Sequence, residues 1–169
     1  MRSNDEDAFR DFAVAQWPAL TRLAYLLVSD AGHAEDIVQT VLAKMWPVWS
    51  RIGHEAPEAY ARKALVNTAT SWWRRRWHGE RPTELLPERR GYDDELAPTL
   101  SDRAALSAAL RALPPRQRSA VVLRFAEDLS EQQVADALNC SVGTVKSLTS
   151  RGLARLREDG VLNEERTTA

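Results

Sequence analysis

Two stretches of this 169-residue chain carry side chains whose types and spacing suit nucleic acid. The first is the run Trp72-Trp73-Arg74-Arg75-Arg76-Trp77, preceded by Arg62 and Lys63. Guanidinium groups neutralise phosphates, and indoles set among them offer flat faces on which unpaired bases stack. A helix bearing this run turns Trp72 and Trp73 about 100° apart, so the two rings cannot share one core position and at least one is expected to be partly exposed. A structural reading stands beside this one: one core indole, one rim indole, and arginines drawn to the negative end of the helix dipole.

The second stretch is SEQQVADALNCSVGTVKSLTSRGLARLR. Between the apolar positions Val142, Val145, Leu148, Leu153 and Leu156 lie Thr144, Lys146, Ser147, Ser150 and Arg151. These side chains are short or cationic, as reaching base edges in a major groove requires, while Arg155 and Arg157 one turn on suit phosphates. A basic helix alone is usually a solvated face. Here a capped helix and a tight turn precede it, and that combination favours duplex DNA.

The elements that must position these residues are helices. Ser130 and Gln133 have the spacing of a capping box, Asn139-Cys140-Ser141 makes a three-residue turn, and Ser141 caps the next helix, which together give a helix-turn-helix. Upstream, Leu106, Ala109, Leu110 and Leu113 keep helical register until Pro114; Pro115 then opens a helix to about residue 127 carrying Val121, Val122 and Phe125. In the N-terminal half, Phe9, Phe12, Ala13, Leu20, Leu23, Ala24 and Leu27 recur every three or four residues, with Pro18 marking a kink or boundary. Asp30 and the residues after it supply cap and turn chemistry for a second helix with the stripe Ile37, Val38, Val41, Leu42, Met45 and Trp46, ended or bent by Pro47. The loop SRIGHEAPE leads to a third helix, from about Glu58 to Trp77, whose apolar content is Tyr60, Ala64, Leu65, Ala69, Trp72 and Trp73.

All six tryptophans precede residue 78, an asymmetry that points to two separate cores. Between them Gly79, Pro82, Pro87, Gly91 and Pro98 interrupt any helical period, and acids outnumber bases over 84–102. The expected architecture is all-α: two small helical domains, 5–78 and 103–158, joined by a flexible acidic linker at 79–102 and followed by a tail at 159–169.

The 23 basic residues nearly cancel the 24 acidic ones, so global charge announces no partner. With one cysteine, Cys140, an internal disulfide is excluded, and the three histidines have no zinc-ligand spacing. No metal, cofactor or catalytic set is expected; His33 and His54 read as loop residues and Cys140 as a half-buried spacer. The N-terminus is acidic where a signal peptide is basic, and no run approaches the length that spans a bilayer, so a cytoplasmic protein is expected.

The ordered set DAGHAEDIVQTVLAKMW, EAYARKALVNTATSWWRRRW and ALRALPPRQRSAVVLRFAEDLSEQQVADALNCSVGTVKSLTSRGLARLR resembles the extracytoplasmic-function group of bacterial sigma factors, most closely the short actinobacterial form. The resemblance implies that the domains are sigma regions 2 and 4 of a dissociable promoter-specificity subunit of RNA polymerase. It implies that Glu35, Asp36 and Gln39 dock on the clamp helices of the largest subunit, and that residues 50–58, with His54, trap a base flipped from the minus-10 element, with Asn67 lining that pocket. Arg62, Lys63, Trp73, Arg74, Arg75 and Arg76 would hold the adjoining strand. Thr144, Lys146, Ser147, Ser150 and Arg151 would read the minus-35 element, and Leu113, Val121, Val122 and Phe125 would form the region 4 core and the side facing the flap of the second-largest subunit.

Two departures from the family pattern are Leu148, where many relatives have arginine, and Gly152, where many have alanine; a changed minus-35 preference is the expectation. The linker would thread toward the active-centre cleft. Core RNA polymerase and promoter DNA are the implied partners, with an anti-sigma factor common in the family and no membrane insertion. The residues alone leave open a different class, an autonomous helix-turn-helix regulator whose first module dimerises or senses a ligand.

Overall fold

The computed structural model describes residues 3–77 and 100–160, apart from the side chains of Trp77 and residues 100–103. The described residues are helical with no strand, in two units that divide at Arg89 and Arg90. The acidic stretch 84–99 lies outside the described residues. The helix that follows starts at Leu100, inside the segment expected to be linker.

In the first unit, α1 (Ser3–Val28), α2 (Ala31–Met45) and α4 (Pro57–Trp77) pack on one another. A 3-10 turn at Trp46–Val48 and the short α3 (Trp49–Ile52) join α2 to α4. Asp30 caps α2, its carboxylate accepting the His33 N–H at 2.8 Å. Leu20, Leu23, Ala24 and Leu27 of α1, Ala34, Ile37, Val38, Val41 and Met45 of α2, and Ala61, Leu65, Val66 and Ala69 of α4 form the core.

Of the kink or boundary expected at Pro18, the boundary is excluded, because Pro18 lies inside α1. Proline gives the Val14 carbonyl no helical donor, but both residues are exposed, so that carbonyl stays open to solvent and the helix continues. Trp46 is 45% exposed and outside the core, because Pro47 tightens the chain into the 3-10 turn before the stripe completes another turn. Tyr60 is likewise exposed, and Ala61 and Val66 take the inner positions instead.

The second unit comprises α5 (Leu100–Ala112), α6 (Pro115–Val121), a π turn (Val122–Ala126), α7 (Glu131–Leu138) and α8 (Val142–Glu158). The expected helix through residue 127 therefore changes pitch: the Glu127 N–H reaches the Val122 carbonyl five residues back. That wider turn rotates Phe125 off the core face, leaving it 56% exposed, and Leu123 is the fully buried side chain there.

The α5–α6 corner is held by a buried charge. Arg118 is 2% exposed; its Nε donates to the Leu110 carbonyl at 2.6 Å and its Nη2 to those of Arg111 at 2.9 Å and Leu113 at 2.8 Å. Pro114 and Pro115 have no N–H to give the end of α5; the Leu113 N–H reaches the Leu110 carbonyl at 3.1 Å, and the guanidinium adds to it there and serves Arg111 and Leu113. Burial, with the charge of Arg111, lowers its pKa to about 10, which leaves it cationic at neutral pH. Packing across this unit is close: a Cβ on buried Gly152 of α8 would lie 2.6 Å from Val121 Cγ2.

Candidate nucleic-acid interface

The α4 sequence splits its basic residues between two faces. Tyr60, Lys63, Asn67, Ser71 and Arg74 follow one another at steps of three and four, which places them on one stripe, and all are exposed. Arg62 is half-buried on the side shared by Val66, Ala69 and Trp73. Of the minus-10 residues expected from sequence, Lys63, Asn67 and Arg74 thus share a face, while Arg62, Trp73 and Arg76 do not join it. Arg75 is exposed at the helix end, to one side of the stripe. Tyr60 is the exposed ring on that stripe, which its apolar character concealed in the sequence.

The two indoles thought available for bases are half-buried and engaged within the protein. Trp73 donates its Nε1–H to the Leu27 carbonyl at 2.9 Å, tying the end of α4 to the end of α1. Trp72 meets Trp73 edge-on at 4.9 Å between ring centres and lies 4.8 Å from the His33 ring, with the Arg76 guanidinium 5.0 Å over it. His33 is therefore no loop residue: it stands in the first turn of α2, Nδ1 2.9 Å from Asp30 Oδ1. Burial raises the Asp30 pKa, but the His33 backbone and side chain and the Arg76 charge outweigh it and hold the carboxyl below its ordinary value. The aromatic run anchors the basic end of α4 and leaves the cations outside.

His54 is exposed in the turn before α4. That turn is built on Trp49, which is 6% exposed and packs against Phe9 and Phe12 with ring centres 5.1 Å away in each case. Gly53 lets the backbone close over this indole: a Cβ there would sit 2.9 Å from Trp49 Cε2. On α2, Asp36 and Gln39 are exposed and Glu35 is half-buried, all turned away from Ile37, Val38 and Val41.

In the second unit the helix-turn-helix is fixed by local hydrogen bonds. Ser130 and Gln133 form the reciprocal capping box that starts α7. Asn139 ends it in the left-handed region, φ 53°, which asparagine tolerates. Ser141 caps α8 by accepting the Thr144 N–H at 3.1 Å, and its hydroxyl lies 2.9 Å from that of Thr144.

All five expected duplex-reading residues, Thr144, Lys146, Ser147, Ser150 and Arg151, are exposed on α8. Gly143, Ser147, Ser150 and Ala154 run down the middle of the outer face, with Lys146 and Arg157 on one edge and Thr144, Arg151 and Arg155 on the other. A low centre between two cationic edges admits the helix into a groove while its rims meet phosphates. Leu148 is half-buried, and Gly152 is buried against Val121, on the packed side of α8. The described residues hold no cluster of His, Cys, Asp and Glu able to bind a metal ion, and no described helix is long and apolar enough to cross a membrane.

Comparison with known proteins gives both units a relative. The family model described as sigma-70 region 2 matches residues 15–79, and that described as sigma-70, region 4 matches residues 103–156. The RNA polymerase sigma-E factor of Streptomyces coelicolor is 43% identical over 157 residues, covering 92% of this chain and 88% of that one. The ECF RNA polymerase sigma factor SigE of Mycolicibacterium smegmatis is 32% identical, over 81% of this chain and 55% of its own. Among solved structures, the sigma factor RpoE in complex with the anti-sigma factor NepR from Bartonella quintana matches with a TM-score of 0.68 and 28% identity, covering 92% of this chain and 98% of that one. CnrH, solved with the cytosolic domain of CnrY, has a TM-score of 0.66 at 18% identity and shows the same fold.

Proposed function

This chain belongs to the sigma factors of bacterial RNA polymerase, in their extracytoplasmic-function group, and from that membership we propose which residues carry each step of its work. The protein is a promoter-specificity subunit that acts with core RNA polymerase and promoter DNA in transcription initiation. In our reading, residues 5–78 bind core polymerase and open the minus-10 element, and residues 103–158 read the minus-35 element as duplex.

The observation that carries the minus-10 assignment is the exposed stripe of α4, where Lys63, Asn67 and Arg74 stand on one face with Tyr60. A base extruded from a duplex loses stacking and pairing and must regain part of that energy in the protein. Lys63 and Arg74 hold the backbone on either side of Asn67, which reads the base edge by hydrogen bonds, and the turn bearing His54 closes over it. Arg62, Trp73 and Arg76 act behind this face by keeping α4 in place, and Arg75 lies beside it. Glu35, Asp36 and Gln39 form the polar face of α2 that docks on the clamp helices. Phe125, held outward by the π turn, is an apolar contact for the flap.

On α8, Lys146 and Arg151 contact guanine edges or phosphates from opposite rims, Ser147 and Ser150 fill the groove floor, and Thr144 secures the cap while facing the backbone. The protein performs no catalysis itself, needs no cofactor, and works in the cytoplasm where polymerase is. The RpoE relative was solved with an anti-sigma factor, which supports a protein of that kind as a regulator of this chain.

The test is transcription in vitro with Streptomyces core polymerase and fragmented genomic DNA, with and without the protein, mapping RNA starts. Discrete new starts sharing two spaced upstream elements are expected. Asn67→Ala should abolish opening at these starts while leaving core binding intact, and Arg151→Ala should weaken those that depend on the minus-35 element by roughly tenfold or more, the worth of one good base contact. Failure to bind core polymerase, with specific binding of a palindromic duplex by a homodimer, would establish an autonomous regulator instead.

A further inference from the structure

Lys146 is not a free cation on the α8 rim. Its Nζ lies 3.7 Å from Glu131 Oε2, the first residue of α7, so the ion pair spans the two helices of the helix-turn-helix. Glu131 is itself well placed to stay there. It occupies the first turn of a helix closed by the Ser130–Gln133 capping box, where exposed N–H groups favour an anion. Both partners remain open to solvent, with side-chain exposures of 65% for Lys146 and 40% for Glu131, so the pair contributes little to folding and can exchange for another anion.

We propose that Glu131 is a positioning residue for duplex recognition. It holds Lys146 across the turn and takes up its charge, so that the lysine reaches DNA only by leaving the carboxylate. The proposal rests on the reading of α8 as the duplex-facing helix. Any phosphate competes with Glu131 for the ammonium, so sequence-independent binding gains little from Lys146. A site that positions acceptors for the lysine and fills the rest of the α8 face at the same time can complete the exchange. The carboxylate thereby suppresses binding to arbitrary DNA more than binding to the promoter element, a device that raises specificity by penalising the wrong partner.

The experiment uses the full-length protein, with wild type, Glu131→Gln, Lys146→Met and the double variant compared on fluorescent duplexes of random sequence and of the minus-35 element mapped by the transcription assay, across a series of salt concentrations. Glutamine keeps the shape of the side chain and removes its charge, Lys146 is exposed and Glu131 is half-buried at a helix start, and the far-ultraviolet dichroism of each variant checks that the fold is retained. Glu131→Gln is expected to tighten random-duplex binding about two- to fivefold at low salt, the range of an exposed ion pair. It should also steepen the dependence of log K on log salt by up to about 0.9, the value for one added phosphate contact. Neither change should occur when Met replaces Lys146.

Tightening that persists in the Lys146→Met background would show Glu131 acting by its own repulsion of phosphates and would overturn the proposal. So would an unchanged affinity and salt slope in Glu131→Gln where Lys146→Met alone weakens binding. If Lys146→Met changes nothing on any duplex, promoter included, the reading of α8 itself fails and the proposal with it. That outcome is distinct from the other two.

Discussion

The two surfaces assigned to DNA are held in place by different means. The basic end of α4 is fixed over a long sequence distance: Trp73 bonds to Leu27, and Trp72 packs on His33 from α2. The start of α8 is fixed within a few residues, by the Ser141 cap, the left-handed Asn139 and the Ser130–Gln133 box. Behind the recognition helix α6 packs on α8, where Gly152 approaches Val121, while buried Arg118 closes the α5–α6 corner through bonds that reach back five to eight residues. The first unit thus positions its DNA face through aromatic side chains and the second through caps and one guanidinium. Because every tryptophan precedes residue 78, indole fluorescence follows the first unit alone, whereas far-ultraviolet dichroism follows both.

The largest expected effect comes from Arg118→Met. Three carbonyls lose a charged donor, two of them in buried bonds and one in a part-buried bond, and the cost should be about 3–5 kcal/mol. The dichroism-detected melt should acquire a separate low-temperature transition while the fluorescence-detected one stays where it was. If both signals shift together, the two units do not unfold independently and the contrast between them collapses.

Next is Gly152→Ala. An added methyl gains about 1 kcal/mol of helix propensity but meets a stiff β-branched side chain at a distance real contacts do not reach, so overpacking of about 1–3 kcal/mol dominates. The net loss should be about 1 kcal/mol, seen in dichroism alone. Val121→Ala should make room for it, so that the double variant is more stable than the sum of the single losses predicts. Additive losses would mean that the two residues do not share the strain.

The same contrast explains what was legible in the sequence. Local devices leave local signals: Ser130 and Gln133 three apart, Ser141 before an apolar run, and Asp30 ahead of a stripe each gave the right helix start. The outward position of Lys146, Ser147, Ser150 and Arg151 followed from helical period, and the family followed from motif order. Features set by packing and by changes of helical pitch left little. Whether Trp73 faced a base or Leu27 depends on a carbonyl 46 residues away. Arg118 sat in RALPPRQRS as one arginine among several, although two prolines that cannot donate to the end of α5 were a physical hint that something else must. The π turn has no signal in the spacing of Val121, Val122 and Phe125, so the sequence does not separate Phe125, on the outer side, from the core residues beside it. Tyr60 was counted as apolar because period alone does not say which side of α4 is outside until Ala61 and Val66 claim the inner one.

A smaller effect is expected from Trp73→Phe. The ring's apolar area is largely kept and the hydrogen bond to Leu27 is lost, so the first unit should lose about 1 kcal/mol, visible in the fluorescence of the remaining tryptophans. Promoter opening should fall further than stability does, because the lost bond fixes the angle at which Lys63, Asn67 and Arg74 are presented. Equal effects on opening and on folding would return Trp73 to a purely structural role.

The smallest effect belongs to Asp30, and its sign is fixed by its environment. Burial raises the carboxyl's pKa, but the His33 backbone N–H, the His33 ring and the charge of Arg76 together outweigh it and hold the carboxyl below its ordinary value in the folded unit. Between the folded and unfolded pKa values the unfolded chain binds more protons, so stability rises with pH there. The contribution is complete above the unfolded value and is lost as pH falls through the folded one. Asparagine at position 30 can still accept the His33 N–H and preserve the cap, but it carries no charge to titrate. The fluorescence-detected stability gap between wild type and Asp30→Asn should therefore be constant near neutral pH and close in the acid range. Half-exposure of the carboxylate lets solvent screen it, which keeps the gap smaller than the other three. Dichroism of the second unit should show no such gap at any pH, and a gap there, or one that widened in acid, would remove Asp30 from the network that anchors α4.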